Sequence, residues 1–114
     1  VSIKFILKSK HLVTKSEREQ LKRLHFRDGL MWPFFTNKSK LGIVILAKIN
    51  SKIVSWGLVF ERNEEKTLFL YTAPEHRRKK IATKIYQIAF KNFGDLYVSK
   101  HDKRATYFYE SVGL

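Results

Sequence analysis

The segment "YTAPEHRRKKIATKIYQIA", Tyr71 to Ala89, holds an abrupt change of period. Its start completes the run "TLFLYT", rich in aromatic and β-branched residues, which reads as a strand. Beyond Pro74 the apolar positions Ile81, Ile85, Ile88 and Ala89 return at helical spacing; Asn92, polar and near the end, shares their face. Gly94 stands where a helix C-terminal cap is expected, and "DLYVS" follows as a short strand. A helix between two strands predicts a parallel pair joined by a right-handed crossover. In such a unit a ligand binds at the carboxyl end of the first strand. The helix is predicted to start near Lys79 to Ala82, where its first N–H groups lack intrahelical partners and form an anion site with the helix dipole. Arg77 to Lys80 are consecutive basic residues at the same place, an arrangement suited to a diphosphate. Taken alone, such a run reads as a solvated basic turn.

Working outward, "SIKFILK" reads as a first strand, and Ser16 and Glu19 have the spacing of a capping box that opens a helix. Leu21 and Leu24 give that helix an apolar stripe, and Gly29 and Pro33 then predict a loop or a second short helix. "LGIVILAKI" and "KIVSWGLVFE" flank Asn50-Ser51, a polar pair suited to a tight hairpin, and "ERNEEK" forms the next turn. Ala105, Phe108, Tyr109 and Val112 mark a last amphipathic helix stopped at Gly113. The predicted order is β-α-(α)-β-β-β-α-β-α: an α/β (α+β) domain over residues 1–114, its mixed, mostly antiparallel sheet covered by helices on both faces.

The 114 residues are 44% hydrophobic, enough for one folded domain with a true core. The absence of cysteine excludes disulfides and Cys-based zinc sites and makes a cytoplasmic location the simplest expectation. Apolar runs such as Ile43 to Ala47 are too short to span a bilayer, and the start lacks the features of a signal peptide. Twenty-three Lys and Arg against ten Asp and Glu give a net charge of +13. That charge attracts polyanions without naming one. Its dispersal, in "KSKHLVTK", "KRLHFR", "NKSK", "EHRRKK" and "SKHDKR", matches no DNA- or RNA-reading motif. The four histidines show no metal-ligand spacing, so no metal is assigned.

At the residue level the Tyr71–Ala89 segment resembles the acyl-CoA-binding segment of the GNAT superfamily of N-acetyltransferases. That segment runs strand, Pro-Glu, Arg/Gln-x-x-Gly-x-Gly/Ala, helix. Pro74 and Glu75 match the lead-in, Arg77 the Arg/Gln, and Ala82 the final Gly/Ala. Lys80 departs from the pattern, standing where the central glycine is expected. Glycine there permits close backbone approach and an unusual dihedral; lysine makes the turn only with a negative φ or under strain. "DKRATYFYESVGL" resembles the later motif Asn-x-x-Ala-x-x-Phe-Tyr-Glu-x-x-Gly-Phe, with Asp102 for Asn and Leu114 for Phe. "IVSWGLVFE" is similar to the family strand carrying Ile-Val-Gly-Phe, with Gly57 in the usual place. The resemblance covers Leu41 to Leu114. The first forty residues agree only in element order.

The resemblance implies direct attack of an acceptor amine on the thioester of acetyl-CoA, the co-substrate. It implies Tyr109 as the acid that protonates the departing thiolate, and backbone at Tyr71, Thr72 and Ala73 facing the pantetheine. It places Arg78, Lys79, Lys80, Ala82 and Thr83 around the diphosphate, with Arg77 to Lys80 or Lys84 within reach of the 3′-phosphate. Glu61 is the candidate general base, with His76 and Ser99 behind it. Trp32, Phe34 and Phe35 are candidates for lining an acceptor pocket. Each has a plainer reading: core packing for Tyr109, loop burial for the three aromatics, an exposed strand-end charge for Glu61. The acceptor stays open among protein N-terminus, lysine, polyamine and small amines. A second function class stays open too: a catalytically inactive GNAT-fold protein that binds nucleic acid or an acidic protein partner. Family members usually add a β-hairpin after the Tyr-bearing helix, and the sequence shows none. The alternatives are a fragment, a minimal fold, or a sheet edge at "DLYVS" completed by a partner or in a homodimer, and the expectation is one of the last two.

Overall fold

Two tight turns organise the sheet. Asn50 and Ser51 have φ of 50° and 68°, the left-handed pair that a two-residue hairpin needs to match strand twist. They join strands at the closing pair Ile49↔Lys52. The next turn closes at Arg62↔Glu65, with Glu64 at φ 65°.

The computed structural model describes residues 2–28, 42–62, 64–77 and 80–98. Its elements are β1 (Lys4–Ser9), α1 (Lys15–Asp28), β2 (Gly42–Ile49), β3 (Lys52–Arg62), β4 (Glu65–Thr72), α2 (Ile81–Phe93) and β5 (Tyr97–Val98). Short 3-10 turns cover Lys10–Leu12 and Pro74–His76. The five strands lie in the order β1-β2-β3-β4-β5. All neighbours are antiparallel except β4 and β5, which run parallel across the α2 crossover, as the change of period at Pro74 predicts. Gly94 ends α2 with φ 74° and donates its N–H to the Phe90 carbonyl at 2.8 Å. The predicted second short helix after α1 and the Tyr109-bearing helix lie outside the described residues.

The alternation of the strands divides the core into two layers. On one face Leu21 and Leu24 of α1 pack with Val44, Leu46, Trp56, Leu58, Phe60 and Tyr71. On the other, Ile81, Ile85, Tyr86 and Ala89 of α2 pack with Ile45, Val59 and Leu68. Ile85 is fully buried, which contributes about 2–3 kcal/mol of hydrophobic stabilisation. Gly57 sets how low α2 sits: a Cβ there would stand 2.7 Å from Ile85 Cγ2. One register shift breaks the β2–β3 ladder. Ala47 pairs with Ser55 but Lys48 with Ile53, leaving Val54 as a bulge.

The start of α1 differs from the expectation. The capping box is Thr14–Glu17, not Ser16–Glu19: Glu17 N–H donates to Thr14 Oγ1 at 3.1 Å and Thr14 N–H to Glu17 Oε1 at 2.9 Å. Both pairs have the required spacing. Glu17 alone lies one turn before Leu21 on the buried stripe, where Lys8 (2.9 Å) and Lys48 (2.5 Å) reach its carboxylate. Burial by itself raises the Glu17 pKa. The hydrogen bonds from Lys48, the Thr14 backbone and Lys8 outweigh it and lower the value from 4.5 to about 2.

Candidate active site

Among the described residues the parallel ladder between β4 and β5 holds Thr67↔Tyr97 and Leu68↔Val98. Beyond Leu68 the β5-facing side of β4 runs on to Thr72, and this stretch, the wedge, lies at the carboxyl end of the strand. Which β4 groups face that wedge follows from the pairing phase. Ala73 N–H bonds Val54 O at 2.9 Å on the β3 side. By alternation Tyr71 also turns its backbone to β3, whereas Leu70 and Thr72 turn theirs to the wedge. Of the three backbone positions expected at the pantetheine, Thr72 has that orientation. Leu70, which the sequence reading omitted, shares it.

Polar side chains hold the end of β4. Ser55 Oγ lies 2.7 Å from Tyr71 O and 2.8 Å from Thr72 Oγ1. Ser55 has one hydroxyl proton, so Thr72 donates to Ser55 and Ser55 to the Tyr71 carbonyl. Arg77 Nε donates to Thr72 O at 2.9 Å, and its guanidinium carbon stands 5.8 Å from the Tyr71 ring centroid. Ser55 is fully buried and Thr72 nearly so. A lone serine in the apolar run "KIVSWGLVF" was the available signal for this contact, since a buried hydroxyl requires a partner.

The turn Pro74–His76 then leads to α2, with His76 N–H on Ala73 O (2.8 Å) and Arg77 N–H on Pro74 O (3.3 Å). The first helical bond runs from Lys84 N to Lys80 O at 3.1 Å. The N–H groups of Ile81, Ala82 and Thr83 therefore precede the ladder and have no carbonyl within the helix to bond. Lys80 is the N-cap, at φ 60° and ψ 19°, with no side-chain cap hydrogen bond. The residue at the family's glycine position thus takes the left-handed conformation that glycine takes freely, at a cost of roughly 1–2 kcal/mol for an L side chain. Lys80 and Lys84 are exposed, and Ala82 and Thr83 partly so.

Glu61 lies opposite Lys66, on the closed side of the Leu68↔Val98 pair, and is exposed. His76 is half-buried, its Nδ1 enclosed without a hydrogen-bond partner. Trp32, Phe34, Phe35, Arg78, Lys79, Ser99 and Tyr109 lie outside the described residues. Among the described residues no His, Asp and Glu cluster could hold a metal, and no helix is long and apolar enough to cross a membrane.

Residues 40–113 match the family model of the acetyltransferase (GNAT) domain. No curated protein matches the chain. Among solved structures, the chain is similar to an aminoglycoside acetyltransferase from an uncultured soil metagenomic sample in complex with trehalose. The TM-score is 0.71 at 19% identity, over 98% of this chain and 88% of that one. It is also similar to a predicted acetyltransferase with acetyl-CoA from Clostridium acetobutylicum (TM-score 0.69, 15% identity, 99% and 90% covered). A third is the putative N-acetyltransferase YhhK from E. coli bound to coenzyme A (TM-score 0.72, 14% identity, 99% and 91% covered). At these identities the likeness concerns the fold. The family match spans well over half of the sequence, and the chain belongs to the GNAT acetyltransferase family.

Proposed function

We propose that this protein transfers an acetyl group from acetyl-CoA to an amine by direct attack. The observation that carries this reading is the start of α2 just after the carboxyl end of β4, where Lys80 makes no side-chain cap hydrogen bond and the first helical bond begins only at Lys84 N. Acetyl-CoA supplies the acetyl group as a thioester. The N–H groups of Ile81, Ala82 and Thr83, with Lys80, Lys84 and the neighbouring Arg78 and Lys79, are suited to its phosphates. The wedge-facing backbone of Leu70 and Thr72 is suited to the pantetheine, and one of their N–H groups to the thioester carbonyl, where charge develops as the amine attacks. The amine nitrogen forms the new C–N bond as the C–S bond breaks. Its proton passes to Glu61 or to a water chain, and Tyr109 protonates the thiolate. For Glu61 to serve, the amine must reach the closed end of the wedge.

The structure of one fold neighbour is of an aminoglycoside acetyltransferase. Aminoglycosides are polycations, and a domain of charge +13 repels them at long range. An acceptor that is acidic, or is carried on an acidic protein, fits the charge better. The second reading, a non-catalytic domain that binds polyanions, draws on Lys80 at φ 60° in place of glycine.

The test is calorimetry and thermal unfolding with acetyl-CoA, on the wild type and on Lys80→Gly. A ligand of the folded state raises apparent stability by about 2.7 kcal/mol at a hundred times its Kd. Saturable binding in the wild type, tighter in the glycine variant, supports the enzyme reading. No binding by either protein, together with salt-dependent retention on a polyanion, leaves the binding-domain reading.

A further inference from the structure

Two successive carbonyls at the end of β4 are each held by a side chain. Ser55 takes Tyr71 O at 2.7 Å, and Arg77 takes Thr72 O at 2.9 Å. The second matters more for the site because the Thr72 carbonyl faces the wedge. Arg77 also turns its guanidinium over the Tyr71 ring, so one side chain spans the strand end and the Pro74–His76 turn. A planar guanidinium is well suited to such a span, because its Nε–H is directional and its flat face stacks on an aromatic ring. The geometry differs from that of Lys80, whose exposed side chain makes no capping hydrogen bond.

We propose that Arg77 is a positioning residue, a brace that fixes the path from β4 into the turn before α2, and that it is not a phosphate ligand. On the wedge side of β4 the brace engages the Thr72 carbonyl. Its consequence for the cofactor rests on the acetyl-CoA reading above; its consequence for the turn does not.

The experiment compares wild type, Arg77→Gln, Arg77→Lys and Lys80→Ala, all well below their unfolding temperatures. Amide exchange is followed at Ala73, His76 and Arg77, and coenzyme A and 3′-dephospho-coenzyme A are titrated at several salt concentrations. Loss of a charge-assisted hydrogen bond makes exchange at His76 and Arg77 about tenfold faster in both Arg77 variants. Both variants are expected to bind the two cofactors about tenfold more weakly, with the wild-type salt dependence kept, whereas Lys80→Ala flattens it. Arg77→Lys keeps the charge, so a phosphate ligand would be rescued by lysine and a brace is not. Unchanged exchange in Arg77→Gln overturns the brace, as does restoration of affinity by Arg77→Lys or a flattened salt dependence in Arg77→Gln. If the wild type binds neither cofactor, the acetyl-CoA reading fails, and the exchange rates still decide the brace.

Discussion

The two helices begin in opposite ways. At α1, Thr14 and Glu17 satisfy each other's backbone N–H groups, and two lysines neutralise the buried carboxylate. At α2 the capping position is an exposed lysine in a left-handed conformation, with no side-chain cap and the basic residues of the Arg77–Lys80 run beside it. The first start is closed by the chain's own groups. The second leaves Ile81, Ala82 and Thr83 N–H without such closure. A helix start that serves only the fold gains from capping. One that serves a ligand must forgo it, so this contrast marks the start of α2 as the candidate site more sharply than the overall positive charge does.

The comparison breaks most visibly at Glu17. Glu17→Gln removes the charge that compensates Lys8 and Lys48, and a loss of about 3 kcal/mol in urea unfolding at neutral pH is expected. The pH dependence has a defined sign. The folded value near 2 lies below the ordinary 4.5, so this stabilisation is fully present above 4.5 and is lost as pH falls towards 2. The variant should show a flatter acid limb than the wild type, and an identical limb would refute the assignment.

Next in size is the seat of α2. Gly57→Ala places a methyl 2.7 Å from Ile85 Cγ2 and 3.2 Å from Leu70 Cδ2, within the layer that supports the wedge. Overpacking of this kind is expected to cost about 1–3 kcal/mol, read from the denaturation midpoint. The smallest effects are the most diagnostic, because they differ in sign. Thr14→Ala should destabilise by about 1 kcal/mol through loss of a cap. Lys80→Gly should stabilise by a similar ~1 kcal/mol through relief of the left-handed backbone. If both N-cap substitutions destabilise, the two helix starts are not different in kind.

The β2–β3–β4 meander, the parallel crossover, α2 and its Gly94 cap were all legible because each rests on a local signal: a turn dipeptide, a change of period or a glycine. The start of α1 was misplaced by two residues because Thr14–Glu17 and Ser16–Glu19 overlap, and only burial of Glu17 separates them. Lys80 could be picked out as a departure, but the sign of its φ is a property of the folded turn. Which of Tyr71, Thr72 and Ala73 turn their backbone away from β3 was not legible. Strand alternation has two phases, and only the bond from Ala73 N–H to Val54 O chooses between them.

The sheet is laid down in chain order, β1 to β5, and this bears on how the molecule assembles. Strands β3 and β4 each meet their predecessor across a two-residue turn, where loop closure costs least. The parallel β4–β5 pair forms only after the chain has passed through α2 and returned, the kind of non-local closure that slows folding. The candidate site is therefore bordered on one side by the quickest part of the sheet to form and on the other by a strand that must wait for the crossover. In refolding followed by pulsed hydrogen exchange, Leu68, whose N–H is turned to β5, should gain protection after the β2–β3 ladder. Protection of Leu68 simultaneous with that of the β2–β3 ladder would contradict this order.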